Sequence, residues 1–496
     1  MFKDTTTAAI DSLMQDAWKA FYEYRKLSLK QRAMFMHNIA SGLENCGDEL
    51  IQTAMQETNL PETRLRGERA RTIFQLNSYA DACEKGNWLE ASIDTADPNK
   101  TPPKPDLRKM LIPLGPVVIF GASNFPFAYS TAGGDTACAF AAGCPVIVKA
   151  HPAHAKTSTM VAAIITKAAE DCNLPKGIFA HVYGAASEVG EALVKHPFTK
   201  AVAFTGSFAG GKQLFDWGNQ RKVPIPVFAE MGSINPVFLL PGKLKTAANE
   251  IAQQYAASIT LGVGQFCTNP GLIIGIESEA LQTFIHDLGK TIQKISPAPM
   301  LHPGIVNTYK KNKGNALLQE EVHLIAESEI TVKENEGLPT VATASGLTFL
   351  NNPVLHQEVF GPYSIVIRCK DINEMIEVAK RLEGQLTATL MATENDILQN
   401  ESLVDTVKDI CGRFILNNVP TGVEVCLSMQ HGGPFPATTD SRFTSVGADG
   451  IKRFARPISY QNWPDHLLPE PLKNENPLNI WRTQNNELSK ETIETT

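Results

Sequence analysis

No stretch of this sequence is both long and uniformly apolar. The longest such run, Ala137 to Val148, stops at Lys149, well short of the roughly 18 to 20 residues that cross a bilayer. No transmembrane helix and no membrane partner are expected. Met1 to Met14 holds Asp4 and Asp11 without an apolar block, so it does not read as a secretory signal. Positive charge is also scarce: 45 Lys and Arg stand against 52 Asp and Glu, a formal net charge of −7. A nonspecific nucleic-acid binder needs a positive surplus to displace phosphate counterions, so that class is excluded, although anionic small molecules are not. Nine cysteines are scattered without a C-x-x-C pair, as expected of a reduced, cytoplasmic protein with mostly buried thiols. Repeats and low-complexity blocks are missing too. With 43% hydrophobic and 20% charged residues, the composition is that of a folded protein rather than a disordered chain or coiled coil.

The 496 residues suffice for about three domains, or for two with a small extra element. Apolar residues at three-to-four spacing predict helices over Ala8–Tyr24, Leu29–Leu43 and Glu62–Cys83. The prolines of Asp97–Pro105 then forbid helix and ladder alike. From Gly115 onward short β-rich runs, Val117–Phe120, Val146–Val148, Phe179–Val182, Ala201–Phe204 and Val227–Ala229, alternate with helical patterns such as Thr157–Ala169. Such βα repeats feed a parallel sheet covered on both faces, so the predicted class is α/β. A second α/β stretch runs from about Pro236 to Gly447, with a helix at Thr246–Ser258 and strands at Leu272–Ile276 and Ser364–Arg368. The polar tail after Arg482 is expected to fray or to rest on a partner.

Gly206 to Lys212 satisfies G-x-x-x-x-G-K after a strand, but Gln213 stands where a P-loop places Ser or Thr for magnesium. A phosphotransferase is disfavoured; a metal-free pyrophosphate site at a helix start, or a plain glycine turn, fits better. Cys267 lies among Gly262, Gly264 and Gly271. A lone cysteine is usually a buried hydrophobe, yet a loop this rich in glycine suits a nucleophile that needs access and donors. Glu230 ends an apolar strand between Phe228 and Met231, surroundings expected to raise its proton affinity toward that of a general base; a cap or ion pair is the alternative. Asn124 follows the first strand, where its amide suits a developing oxyanion, and a simple turn is its alternative. His151 and His154 flank Pro152 and lack a third ligand, so no metal is expected.

These segments together resemble the aldehyde dehydrogenase superfamily over nearly the whole chain, to about Gln461. The motifs stand in the family's order: Gly121 to Pro126, Val146 to Lys149, Phe204-Thr205-Gly206-Ser207 with Gly211, Glu230-Met231-Gly232, Gln265-Phe266-Cys267 and Glu358 to Pro362. Lys149 to His154, Gly422 to Cys426 and His431 to Thr438 resemble the branch of α-ketoglutarate semialdehyde (2,5-dioxopentanoate) dehydrogenases and their NADP-dependent relatives.

The resemblance implies a Rossmann-like cofactor domain (1–96 and 115–231), a catalytic α/β domain (232–448), and a small β oligomerisation arm with the tail (97–114 and 454–496), in a homodimer or homotetramer. It implies NAD(P)-dependent oxidation of an aldehyde to an acid, with 2,5-dioxopentanoate as the expected substrate and a long-chain aliphatic aldehyde as the alternative. Cys267 as thiolate would attack, Asn124 and the Cys267 N–H would hold the oxyanion, and Glu230 would activate the water that hydrolyses the thioester. For the cofactor it implies Gly206, Ser207 and Gly211 at the pyrophosphate, Lys149 at the adenosine ribose, Glu358 at the nicotinamide ribose and Phe360 beside the ring. Pro152 replaces a glutamate common in NAD-using relatives, so NADP is expected, with NAD possible. Arg71, facing Phe125, falls where relatives line the substrate tunnel, and an arginine there suits a carboxylate.

Overall fold

A computed structural model describes residues 2–494. The chain opens with four helices: α1 (Thr7–Tyr24), α2 (Leu29–Asn45), α3 (Glu49–Thr58) and α4 (Glu62–Lys85). Local chemistry sets their ends. The Thr6 hydroxyl accepts from the Ala9 N–H at the start of α1, and Ser28 with Gln31 forms a capping box on α2. Gly86 closes α4 in the left-handed region at φ 68°. The buried stripe of α4 runs Leu65, Glu68, Thr72, Gln75, Leu76, Tyr79, Ala80, Cys83. Three polar members in a buried stripe require buried partners.

A five-stranded sheet follows. In spatial order its strands are Phe179–Val182, Val146–Lys149, Val117–Phe120, Ala201–Thr205 and Val227–Glu230, every neighbouring pair parallel. Both faces are covered, so alternate residues enter different cores. Val118, Phe120, Ile147 and Val202 pack with Ile10 and Met14 of α1, whereas Val117, Ile119, Val146 and Val148 pack with Phe35 and Ile39 of α2 and Leu76 of α4. Strands apolar on both faces are what read as continuous apolar runs. The order reverses between Val117–Phe120 and Ala201–Thr205, and ligands of open α/β sheets lie at the carboxyl ends beside such a point.

The second sheet has seven strands, ordered His323–Glu327, Thr340–Ser345, Tyr363–Cys369, Leu272–Ile276, Val237–Leu239, Gln385–Met391 and Cys411–Leu416. Only the first pairing is antiparallel. The expected helix at Thr246–Ser258 is the longer Pro241–Thr260, with non-helical geometry at Ala247. A third sheet joins Ala455–Gln461, Leu107–Pro113, Ser92–Asp94, Arg482–Gln484 and Glu487–Ser489. The last two strands correct the expectation of a loose tail. Arg482–Gln484 pairs with Ser92–Asp94, and the fully buried Arg482 donates to the carbonyls of Lys473, Asn474 and Glu491. Among the described residues no helix is long and apolar enough to cross a membrane.

Candidate active site

The carboxyl ends of the first sheet open on a cavity of about 450 Å³, lined by Gly121, Asn124, Phe125, Gly206, Ser207, Glu230, Cys267, Glu358 and Phe360 among others. That volume is in the range of small-molecule sites. Eight of the residues singled out in the sequence therefore meet in one cleft. Three do not line it. Gly211 belongs to the first turn of the helix Phe208–Asn219, where a Cβ would come within 2.5 Å of Met231 Cγ; its smallness lets the helix pack closely there, and Gly210 lines the cleft instead. Lys149 and Arg71 are not among the lining residues either.

A strained loop presents the thiol. Gly262, Val263 and Gly264 have φ of 54°, 59° and 65°, a conformation costly for β-branched Val263. At Gly264 a Cβ would sit 2.2 Å from the backbone of Gly361, so only glycine lets these two segments touch. Beyond them Cys267 is half-buried, and Asn235 fixes its carbonyl through an Nδ2 bond of 2.9 Å. Asn124 is buried with its Nδ2 on the Gln265 carbonyl at 3.1 Å, leaving its second amide hydrogen free to turn to the cleft.

Glu230 and Cys267 meet a third group. His431 Nε2 lies 3.7 Å from Cys267 Sγ and 3.1 Å from Glu230 Oε1. One ligating atom from each of the three falls within 4.8 Å of the others. The loop carrying His431 returns across the end of the Val227–Glu230 strand: Met231 N–H donates to Ala437 O at 2.8 Å, and Ser445 Oγ donates to Glu230 Oε2 at 2.7 Å. His431 appears in the sequence only within a run characteristic of the branch; nothing near it in the chain signals a role.

This neighbourhood reverses two expectations. Burial raises the Glu230 carboxyl, but the adjacent His431, with hydrogen bonds from His431, Ser445 and Cys267, brings it below its ordinary range. Glu230 is thus an ionised base, not one of raised proton affinity. Burial and then the Glu230 charge push the Cys267 thiol well up, so the resting nucleophile is a thiol, and attack requires a base. Glu358 is pushed up to about 7 by burial, against a Ser233 N–H that favours its charged form.

The opposite side of the cleft rests on α4. Arg64 donates to the Asn124 carbonyl at 2.7 Å and lies 4.9 Å and 4.6 Å from the ring centroids of Phe125 and Phe266. Glu68 Oε1 accepts from the N–H groups of Phe127 and Ala128 at 2.8 and 3.0 Å. One helix face thereby holds both ends of the Asn124–Ala128 turn. Lys212, the lysine of the glycine motif, is paired with Asp216 at 2.6 and 2.7 Å, which removes the charge a P-loop would aim at phosphate. His154 Nε2 lies 2.8 Å from the Ala122 carbonyl, a structural role.

The model of the Aldehyde dehydrogenase family matches residues 1–434. The chain is 45% identical to alpha-ketoglutaric semialdehyde dehydrogenase 2 of Azospirillum brasilense, covering 97% of this chain and 92% of that one. It is 44% identical to alpha-ketoglutaric semialdehyde dehydrogenase of Acinetobacter baylyi, covering 99% and 93%. Among solved structures, 1-pyrroline-5-carboxylate dehydrogenase from Thermus with bound NAD shares the fold at a TM-score of 0.77 and 20% identity, over 92% of this chain and 86% of that one. A thiol, a carboxylate and an amide donor gathered at the switch point of a parallel sheet agree with that assignment: the chain belongs to the aldehyde dehydrogenase family and is an NAD(P)-dependent aldehyde dehydrogenase.

Proposed function

We propose that this enzyme oxidises α-ketoglutaric semialdehyde to α-ketoglutarate through a thioester on Cys267, with NADP accepted alongside NAD. The contact of Glu230 with both Cys267 and His431 carries the chemical reading. As sulfur bonds to the aldehyde carbon, the thiol proton passes to the Glu230 carboxylate, to which the thiol is hydrogen-bonded. His431 beside it favours the carboxylate, so that proton is released to solvent before the next step. Negative charge on the former carbonyl oxygen is held by the Asn124 amide and the Cys267 N–H, each typically worth about 2.7 to 4 kcal/mol. NAD(P) held by the cofactor side of the cleft would supply the hydride acceptor needed for the adduct to become a thioester. Glu230, ionised and buried, then deprotonates the hydrolytic water, and the thiol is regenerated.

The cofactor side fits a dinucleotide. Gly206 and Gly210 let the Phe204 ring lie beneath the cleft, since a Cβ would approach that ring to 2.6 and 3.0 Å. The helix that starts at Phe208 offers its free N–H end above them. Ser207 and Gly206 would hold the pyrophosphate, Lys149 the adenosine ribose, Glu358 and Phe360 the nicotinamide end. For NADP, Lys149 is the available charge, because Glu57 accepts from the Lys156 and Thr157 N–H groups at 2.9 and 2.8 Å and offsets the positive field there. The substrate assignment draws on the two relatives above and on Arg71 as the carboxylate partner. The exposed edge strand Ala455–Gln461 supports a homodimer or homotetramer, readable as mass by light scattering.

The test is a panel of 2,5-dioxopentanoate, a neutral aldehyde of equal length and a long-chain aldehyde, each with NADP and NAD. The proposal expects the highest kcat/KM for 2,5-dioxopentanoate and a trapped acyl group on Cys267. A higher value for the long-chain aldehyde overturns the substrate; an unmodified Cys267 overturns the chemistry.

A further inference from the structure

Two arginines far apart in the chain flank one loop beside the thiol. Arg413, on the Cys411–Leu416 edge strand, donates from Nη1 to the Gly422 carbonyl at 2.7 Å and from Nη2 to the Pro420 carbonyl. Arg71, on α4, donates from Nη1 to the Val423 carbonyl. The two guanidiniums therefore hold the adjacent carbonyls of Gly422 and Val423 in one segment, Pro420–Val423.

Neither guanidinium is satisfied. Arg71 Nε and Nη2 and Arg413 Nε are buried without hydrogen-bond partners. A buried N–H on a charged group left unpaired costs more than a neutral one, so such atoms require an explanation. Arg64 Nη1 is unpartnered as well, but that guanidinium is packed against Phe125 and Phe266 and donates to the Asn124 carbonyl, so the turn it supports accounts for its position.

Both charges also reach the reaction centre. The fields of Arg71 and Arg413 act on the phenol of Tyr129, which lines the cleft, and Arg413 acts on the Cys267 thiol as well. Tyr129 packs 5.2 Å from Phe125 and 6.3 Å from His431, centroid to centroid. Glu230 is bound to His431 and Ser445 and Glu68 Oε1 to backbone N–H groups, and although the Arg71 charge acts on Glu68, no hydrogen bond joins the two. Cys267 and Tyr129 line the same cleft.

We propose that Arg413 is a specificity-determining residue that acts with Arg71, both anchored on the Pro420–Val423 segment, to bind the 2-oxo-carboxylate end of a short semialdehyde. The inference rests on the substrate reading above and extends it from one guanidinium to two. A planar guanidinium suits a carboxylate and its neighbouring carbonyl oxygen because its N–H groups lie in one plane. Two such groups from separate elements would recognise a 2-oxo acid end better than a carboxylate alone.

The experiment compares wild type, Arg413→Gln, Arg413→Lys and Arg71→Gln on 2,5-dioxopentanoate, succinic semialdehyde and pentanal, at saturating NADP. We expect Arg413→Gln to raise KM for 2,5-dioxopentanoate at least about tenfold, with a smaller rise for succinic semialdehyde. Its kcat/KM for pentanal, which feels only the lost charge near the thiol and the lost loop contacts, should fall much less than that for 2,5-dioxopentanoate. Arg413→Lys should recover part of the loss, since charge returns without the planar fork. An equal loss on pentanal would make Arg413 a loop support and overturn the inference, as would an unchanged KM for both acids. Wild type failing on 2,5-dioxopentanoate while oxidising pentanal would instead overturn the substrate reading. If Arg413→Gln does not fold, Arg413→Lys decides: discrimination between acids and pentanal identical to wild type, at unchanged kcat, overturns the inference.

Discussion

The sheet side of the cleft and the helix-and-loop side differ in how their lining is assembled. On the sheet side the lining residues directly follow the strands: Gly121 after Phe120, Gly206 and Ser207 after Thr205, Met231 and Gly232 after Glu230. Backbone and small side chains dominate there, and parallel pairing fixes their places. Across the cleft the lining includes Asn124, Phe125, Tyr129 and Cys267. Side chains outside the lining hold or influence them: Arg64 and Glu68 of α4 hold the Asn124–Ala128 turn, Arg413 of an edge strand acts on Cys267, and His431 of a returning loop adjoins it. Most of these supporting side chains are ionisable. A wall of backbone suits the part of a ligand shared by many enzymes, and a wall backed by ionisable side chains can set which aldehyde is taken.

Cys267 lies where the two sides meet, and its loss should give the largest effect. Cys267→Ala is expected to lower kcat by at least about 10⁴-fold, with NADP affinity by fluorescence titration unchanged within about twofold. A large fall in affinity would show that the sides are not separable. His431 and Glu230 divide the comparison more finely. Loss of a general base typically costs 10²–10⁴-fold. Glu230→Gln should remove the first burst of reduced cofactor, because no group takes the thiol proton. His431→Asn should keep a burst while turnover falls, since the carboxylate loses the neighbour that favours its charged form. A burst retained in Glu230→Gln would assign the thiol proton to another group.

Glu68 allows the helix side to be tested without chemistry. Burial pushes its carboxyl up to about 7, opposed by the Arg64 charge and by the N–H groups of Ala128 and Phe127. The folded state therefore holds this proton more tightly than the unfolded chain. Its contribution to stability is full below the unfolded value near 4.5 and is lost as pH rises through about 7. The loss is on the order of 3 kcal/mol. Relative to Glu68→Gln, the wild-type Tm should fall between about pH 4.5 and 7 and then run parallel. A difference that grows in the opposite direction would show that the ion pair with Arg64 outweighs burial.

The same contrast explains what could be read from the sequence. Strands such as Val117–Phe120 and Leu272–Ile276 have the bounds expected of them, because strands buried on both faces are plain apolar runs. Cys267 and Asn124 were legible through the glycines and the strand end beside them. Glu230 was legible as a site but not in its proton affinity: Phe228 and Met231 adjoin it in the chain, whereas His431 and Ser445 adjoin it in space. Arg413 sits in an ordinary strand pattern, and only the return of Pro420–Val423 onto it gives it a role. Burial of Arg482 likewise depends on carbonyls supplied by other turns, so a polar tail was mistaken for a loose one.

The smallest expected effect concerns the most conspicuous motif on the sheet side. Lys212 completes G-x-x-x-x-G-K, yet its ammonium is held by Asp216 one helical turn on. An exposed pair of this kind contributes about 0.3–0.5 kcal/mol, and the backbone N–H groups of the helix start do not depend on it. Lys212→Ala should leave KM for NADP and NAD within about twofold and Tm within about 1 °C. A tenfold rise in KM for either cofactor would mean that Lys212 leaves Asp216 to meet a phosphate. The sheet side would then also select its ligand by side-chain charge, and the distinction between the two sides would fail.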